Sequence, residues 1–185
     1  MSEVDMTSHP TCAGLLMFGY EYDIVCEYPH YFLDYQEKLN DNARWTHRIV
    51  SSSEEWSGNL YDFFFRVYSR ITDNLPVPFV TKGMNREDDI PLHLVSREVL
   101  LNSLEHSDFY TRQGVVITKY KDEISFANSG DIRIGLEVAL AGGVSDPLNE
   151  TVMKMFSLLV DIGERAGTGI PNIVNNKVHE SFSCL

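Results

Sequence analysis

The chain lacks most of what would fix a small protein by covalent or membrane means. Its three cysteines, Cys12, Cys26 and Cys184, are odd in number and widely spaced, with no CxxC pair. Neither a disulfide framework nor a zinc knuckle is expected from them, and a reducing compartment fits. Long hydrophobic runs are missing as well. The best apolar run near the N-terminus, Ala13 to Phe18, is too short for a signal sequence or a membrane span, so a cytoplasmic protein with no membrane partner is expected. Positive charge is scarce, with Lys+Arg 15 against Asp+Glu 27, a net of −12. A chain of that sign repels a phosphate backbone, and direct DNA binding would need a local basic face. No GxxxxGK[ST], HExxH, internal repeat or low-complexity tract occurs. The adjacent acids Asp122 and Glu123 therefore read as a hairpin turn, and no motor-helicase motif supports another role. His93, His106 and Asp108 lack the spacing of a dedicated metal site.

What remains is an ordinary globular composition, 43% hydrophobic and 23% charged over 185 residues, enough for one domain or one domain with an appendage. Cys12 to Phe18, between Thr11 and Gly19, reads as a short capped helix. Asp23 to Tyr28, Tyr31 to Tyr35 and Arg48 to Val50 are β-branched and aromatic and predict strands. Between Ser57 and Asn74, Leu60, Phe63, Phe64, Val67, Tyr68 and Ile71 keep the three-and-four spacing of a buried helical face. Aromatics in that pattern are core rather than base-stacking surfaces. Pro91 to His106 predicts a second helix, Gly114 to Lys121 with Glu123 to Asn128 an antiparallel hairpin, and Gly135 to Ala141 and Asn149 to Asp161 two further helices. Strands interleaved with helices and joined partly by a hairpin predict an α+β sandwich with helices on one face of the sheet.

The chemistry-bearing residues lie on the second of these helices and in the glycine-rich segments after it. Glu98 and Asn102, four apart, project from one face, with Glu105 a turn beyond. In a nucleotide pocket such a carboxylate can orient an attacking water and such an amide oxygen can ligate Mg²⁺. A solvated helix face is the plainer alternative. Asn128-Ser129-Gly130 follows a predicted strand, and Gly142-Gly143 and Gly167-Thr168-Gly169 are glycine-rich turns of the kind that bring backbone amides close to phosphate oxygens, or that simply end helices. Lys154 and Arg165 are basic side chains that could meet phosphates or serve as surface charges.

The order of Arg97 to Phe109, Ile124 to Gly130, Ala141 to Pro147 and Glu164 to Ile170 resembles the GHKL-type ATPase-like domain of bacterial proteins labelled RecG-related helicases or transcriptional regulators. The similarity runs from Pro76 to Val174, and Pro10 to Gly19 is similar to the segment following an AlbA-like (Schlafen-type) DNA-binding domain in such proteins. The resemblance implies a Bergerat-like two-layer α+β sandwich with a mixed, mostly antiparallel sheet. It also implies ATP and Mg²⁺ as ligands, with Glu98 as the catalytic base, Asn102 as the Mg²⁺ ligand, and His106, Asp108, Asn128, Gly130, Gly142, Gly143, Gly167, Thr168 and Gly169 around the nucleotide. This sequence departs from the family's pattern at Ser107 and Leu148, where arginines are usual, and at Asn128, where classical members place an aspartate. The chain is thus expected to comprise a connecting segment (1–56), the ATPase-like domain (57–174) and a polar tail cut from a longer chain (175–185). DNA contact would belong to a segment missing here, and the apolar N-terminal helix could pair with a second copy. The alternative is a degenerate interaction or dimerisation module that has lost the nucleotide.

Overall fold

The computed structural model describes residues 9–40, 44–73, 81–82, 85–86, 91–130 and 146–160. Helix α1 (Cys12–Phe18) begins where Thr11 Oγ1 accepts the Gly14 amide at 3.1 Å and ends where the Gly19 amide returns to Leu15. Its buried residues are Leu16 and Met17. The strand expected over Asp23 to Tyr28 is instead helix α2 (Glu21–Glu27). Ile24 and Tyr28, four apart, are the residues this segment buries, while Tyr22, Asp23, Cys26 and Glu27 stay exposed. That is a helical period, and it overrides the β-branched content that suggested a strand.

Four strands form one sheet in the order β2-β1-β5-β6: β1 (Leu33–Lys38), β2 (His47–Val50), β5 (Val115–Tyr120) and β6 (Ile124–Ala127). The β1–β2 and β5–β6 pairs are antiparallel and the central β1–β5 pair is parallel, so the fold is α+β with a mixed sheet. A two-residue pair, β3 (Thr81–Lys82) and β4 (Asn85–Arg86), stands apart. Register places Leu33 and Tyr35 beside Val115 and Ile117, and Ile117 beside Phe126. All five are buried and share one face. The opposite face carries Asp34, Gln36, Thr118 and Ser125, with Asp34 held by a two-pronged Arg48 pair at 2.8 and 2.9 Å. Only one face is therefore suited to receive helices.

That face is covered by α3 (Leu60–Thr72) and α4 (Pro91–Glu105). The former buries Leu60, Phe63, Phe64, Val67 and Ile71 as its periodicity requires, and Asn59 caps it by accepting the Asp62 amide at 2.9 Å. In α4, Val95, Val99, Leu100, Leu101 and Leu104 are buried. A last helix, α5 (Glu150–Val160), brings Phe156 to 5.2 Å from the Phe64 ring, and α1 joins the same helical layer through α3 and α5. Among the described residues, no helix is long and apolar enough to cross a membrane. The helix expected over residues 135–141 lies outside the described residues.

Candidate functional site

Helix α4 is buried on most of its circumference, and the exceptions are informative. Glu98, Asn102 and His106 recur every four residues and are half-buried, so they share one face beside a packed core. Burial raises the Glu98 carboxyl above its ordinary range, opposed by the Arg97 charge. Glu105 lies on the same side and is only 7% exposed. Burial and then the neighbouring Glu98 charge push it up to about 8, so it is largely uncharged at neutral pH. His106 is lowered by burial, with Asp146 acting in the opposite direction. The side-chain carboxamide of Asn102 makes no hydrogen bond among the described residues.

The C-terminal end of α4 is where three distant segments meet. Asn128, at the end of β6, is 2% exposed, and its buried Nδ2 finds no hydrogen-bond partner among the described residues. Two residues on, Gly130 lies so close to the helix that an added Cβ would collide with the His106 carbonyl. Here glycine is required by close approach. Ser129 Oγ donates to the Asp108 carbonyl at 2.8 Å. From the other side, Asn149 donates its backbone amide to the Glu105 carbonyl at 2.9 Å, and its Nδ2 to the Glu105 and Ser107 carbonyls at 3.1 and 2.7 Å. Helix ends leave such carbonyls unsatisfied, and Asn149 closes two of them while standing at the start of α5.

Sequence reasoning named Glu98, Asn102, His106, Asn128 and Gly130, and the fold gathers them along α4 and at its end. Asp108 has a more local task. Its Oδ1 accepts the Tyr110 amide at 3.0 Å, shaping the turn that leaves the helix. Lys154 pairs with Glu150 at 2.6 Å, four residues apart on exposed helix, the surface-charge alternative of the two considered for it. Gly142, Gly143, Gly167, Thr168, Gly169 and Arg165 lie outside the described residues. Among the described residues, no group of three His, Cys, Asp or Glu could hold a metal. Glu98 and Asn102 offer hard oxygen donors, which suit Mg²⁺ when phosphates complete the coordination. The residue missed was Asn149. Its signal was an Asn directly ahead of a predicted helix, but its targets lie more than 40 residues earlier.

Comparison with known proteins adds little chemistry. A family described as "Domain of unknown function (DUF8451)" matches residues 2–34, which span α1, α2 and the first residues of β1. No curated protein matches the chain. Among solved structures, the chain is similar to the DIP2311 protein from Corynebacterium diphtheriae, a structural-genomics target, with a TM-score of 0.56 at 15% sequence identity. The superposition covers 85% of this chain and 30% of that one. At that identity the likeness concerns the fold.

Proposed function

We propose that the chain is a Bergerat-like, ATP- and Mg²⁺-binding regulatory domain of a cytoplasmic bacterial transcription-regulator-like protein, with weak hydrolysis at most. The observation that carries this reading is the placement of Asn128. A buried carboxamide whose donor has no partner among the described residues stands at a strand end against the helix whose half-buried face presents Glu98 and Asn102. A buried donor left without a partner is costly, and a ligand acceptor is one way to satisfy it. In this reading the Asn102 side-chain oxygen holds the metal and Glu98 accepts a proton from water, a task helped by burial that raises the carboxyl's proton affinity. When bound, Mg²⁺ would supply charge neutralisation between the phosphates.

The test is the melting temperature with ATP, ADP and a non-hydrolysable ATP analogue, each with and without Mg²⁺. Ligand at about one hundred times its dissociation constant adds roughly 2.7 kcal/mol of stability. A Mg²⁺-dependent rise is expected in the parent protein and in Glu98→Gln, and is expected to vanish in Asn102→Ala. An unchanged shift in Asn102→Ala would sink the metal assignment.

One observation favours the second reading, a module that keeps the fold and has lost the nucleotide. The Glu98 carboxylate stands close enough along α4 to raise the proton affinity of Glu105, and Asp146 bears on His106. A phosphate chain entering such surroundings meets like charge. No thermal shift with any nucleotide at millimolar concentration would decide for this module.

A further inference from the structure

No lysine or arginine precedes Lys38, so the N-terminal quarter of the described fold has only acidic side chains for its surface charge. Helix α2 displays this most openly. Its outward face is formed by Tyr22, Asp23, Cys26 and Glu27, the residues left exposed when Ile24 turns into the core. At one end Tyr20 stacks on Tyr22, with ring centroids 5.7 Å apart and planes 10° from parallel. At the other, Tyr110 reaches across from the turn after α4 and donates its hydroxyl to Glu27 at 2.9 Å. These three tyrosines are 58%, 64% and 56% exposed. Solvated helix faces are usually lined with flexible charged side chains, whereas interfaces are enriched in tyrosine.

We propose that this aromatic and acidic strip on α2 is a docking surface for a basic segment of a partner protein, one presenting two arginines or lysines in extended chain. Charge complementarity selects that occupant. A second copy would bring the same acids face to face, and a nucleic acid would bring phosphates to them. Tyrosine faces and carboxylates together favour guanidinium, which stacks on the former and forms paired hydrogen bonds with the latter. Asp23 and Glu27, four residues apart on α2, are about 6 Å apart along its axis, the rise of about two extended residues, so the two cations should be separated by a single residue. The match of residues 2–34 to a family model of their own is consistent with a segment that recurs as a unit.

The experiment uses the full chain and a fluorescein-labelled Ala-Arg-Ala-Arg-Ala peptide, followed by fluorescence anisotropy and by amide shift mapping. Saturable binding that shifts the α2 amides is expected. Tyr20→Ala with Tyr22→Ala, and separately Asp23→Asn with Glu27→Gln, should each weaken it at least about tenfold. Asp122→Asn with Glu123→Gln removes the same charge from an exposed turn elsewhere and should leave binding unchanged. All are surface changes, and melting temperature verifies that each variant folds. The proposal is overturned by no saturable binding, or by equal losses in the Asp122/Glu123 control. It is equally overturned by a single-stranded oligonucleotide mapping to α2, or by dimerisation that the tyrosine variants abolish.

Discussion

Two buried carboxyls at opposite ends of the helical layer are treated in opposite ways. Glu37, on β1, is 4% exposed and receives two hydrogen bonds from Arg70 of α3 at 3.0 and 2.8 Å, with a third from the Tyr35 hydroxyl at 2.9 Å. Lys119 of β5 adds its charge while donating to the Arg70 carbonyl at 2.6 Å, which also satisfies the end of α3. Burial alone would raise the Glu37 carboxyl, but these partners outweigh it and hold it below the ordinary range. Glu105, at the end of α4, is nearly as buried, and among the described residues the charge that bears on it is that of Glu98 rather than a cation. The first arrangement is a structural clamp between strand and helix. The second keeps an acid with no cation partner among the described residues, beside the residues proposed to handle a ligand.

Breaking the clamp should cost more than removing the acid of the second arrangement. Arg70→Ala leaves Glu37 buried with its main partner gone. Loss of one partner of a fully buried pair costs about 3–5 kcal/mol, and since Arg70 is 37% exposed at its side chain, the lower end, about 3 kcal/mol, is expected in urea unfolding at pH 7. Glu105→Gln should behave in the opposite sense. Because the folded group holds its proton up to about pH 8 while the unfolded one releases it near its ordinary value of 4.5, stability contributed by the neutral form declines as pH rises between these limits. Gln cannot ionise. Relative to the parent, Glu105→Gln should gain roughly 1.4 kcal/mol for each pH unit between about pH 5 and pH 8 and level off above that window. A flat difference across that range would place a cation near Glu105 and erase the contrast.

The difference between the two ends also marks what the sequence could disclose. Leu60 to Ile71 and Val95 to Leu104 announce their helices because the core reads each turn of the helix in the same way, so spacing alone suffices. The hairpin of β5 and β6 was similarly legible, since its partners are neighbours in sequence. Asp23 to Tyr28 misled because Ile and Val weigh toward strand in a segment too short for composition to outvote burial. Glu98, Asn102 and Glu105 could be placed on one face from their numbers. Their charge states could not, because burial of Glu105 depends on segments brought in by the chain's path: Asn128 and Gly130 from one side, and the residues before α5 from the other. Gly142, Gly143 and Gly167 to Gly169 remain readings of sequence alone.

Asn149 supplies the finest test of whether the α4 end is maintained for a site or merely closed for stability. Its carboxamide donates to the Glu105 and Ser107 carbonyls, tying the start of α5 to the turn carrying His106 and Asp108. Asn149→Ala keeps the backbone bond to Glu105 and loses the two side-chain bonds, so a cost of about 1 kcal/mol is expected by thermal unfolding. Asn149→Asp is nearly isosteric but cannot donate, and it places a carboxylate against helix-terminal carbonyls, where negative charge is disfavoured. It should therefore be the less stable of the two at pH 7 and approach the alanine variant as the new carboxylate is protonated toward pH 3. Hydrogen exchange at the amides of His106 to Tyr110 locates the effect. Faster exchange confined to that turn would mean that Asn149 holds the end of α4 in place beside the candidate site. Faster exchange spread evenly through α4 and α5 would mean that it only glues two helices together.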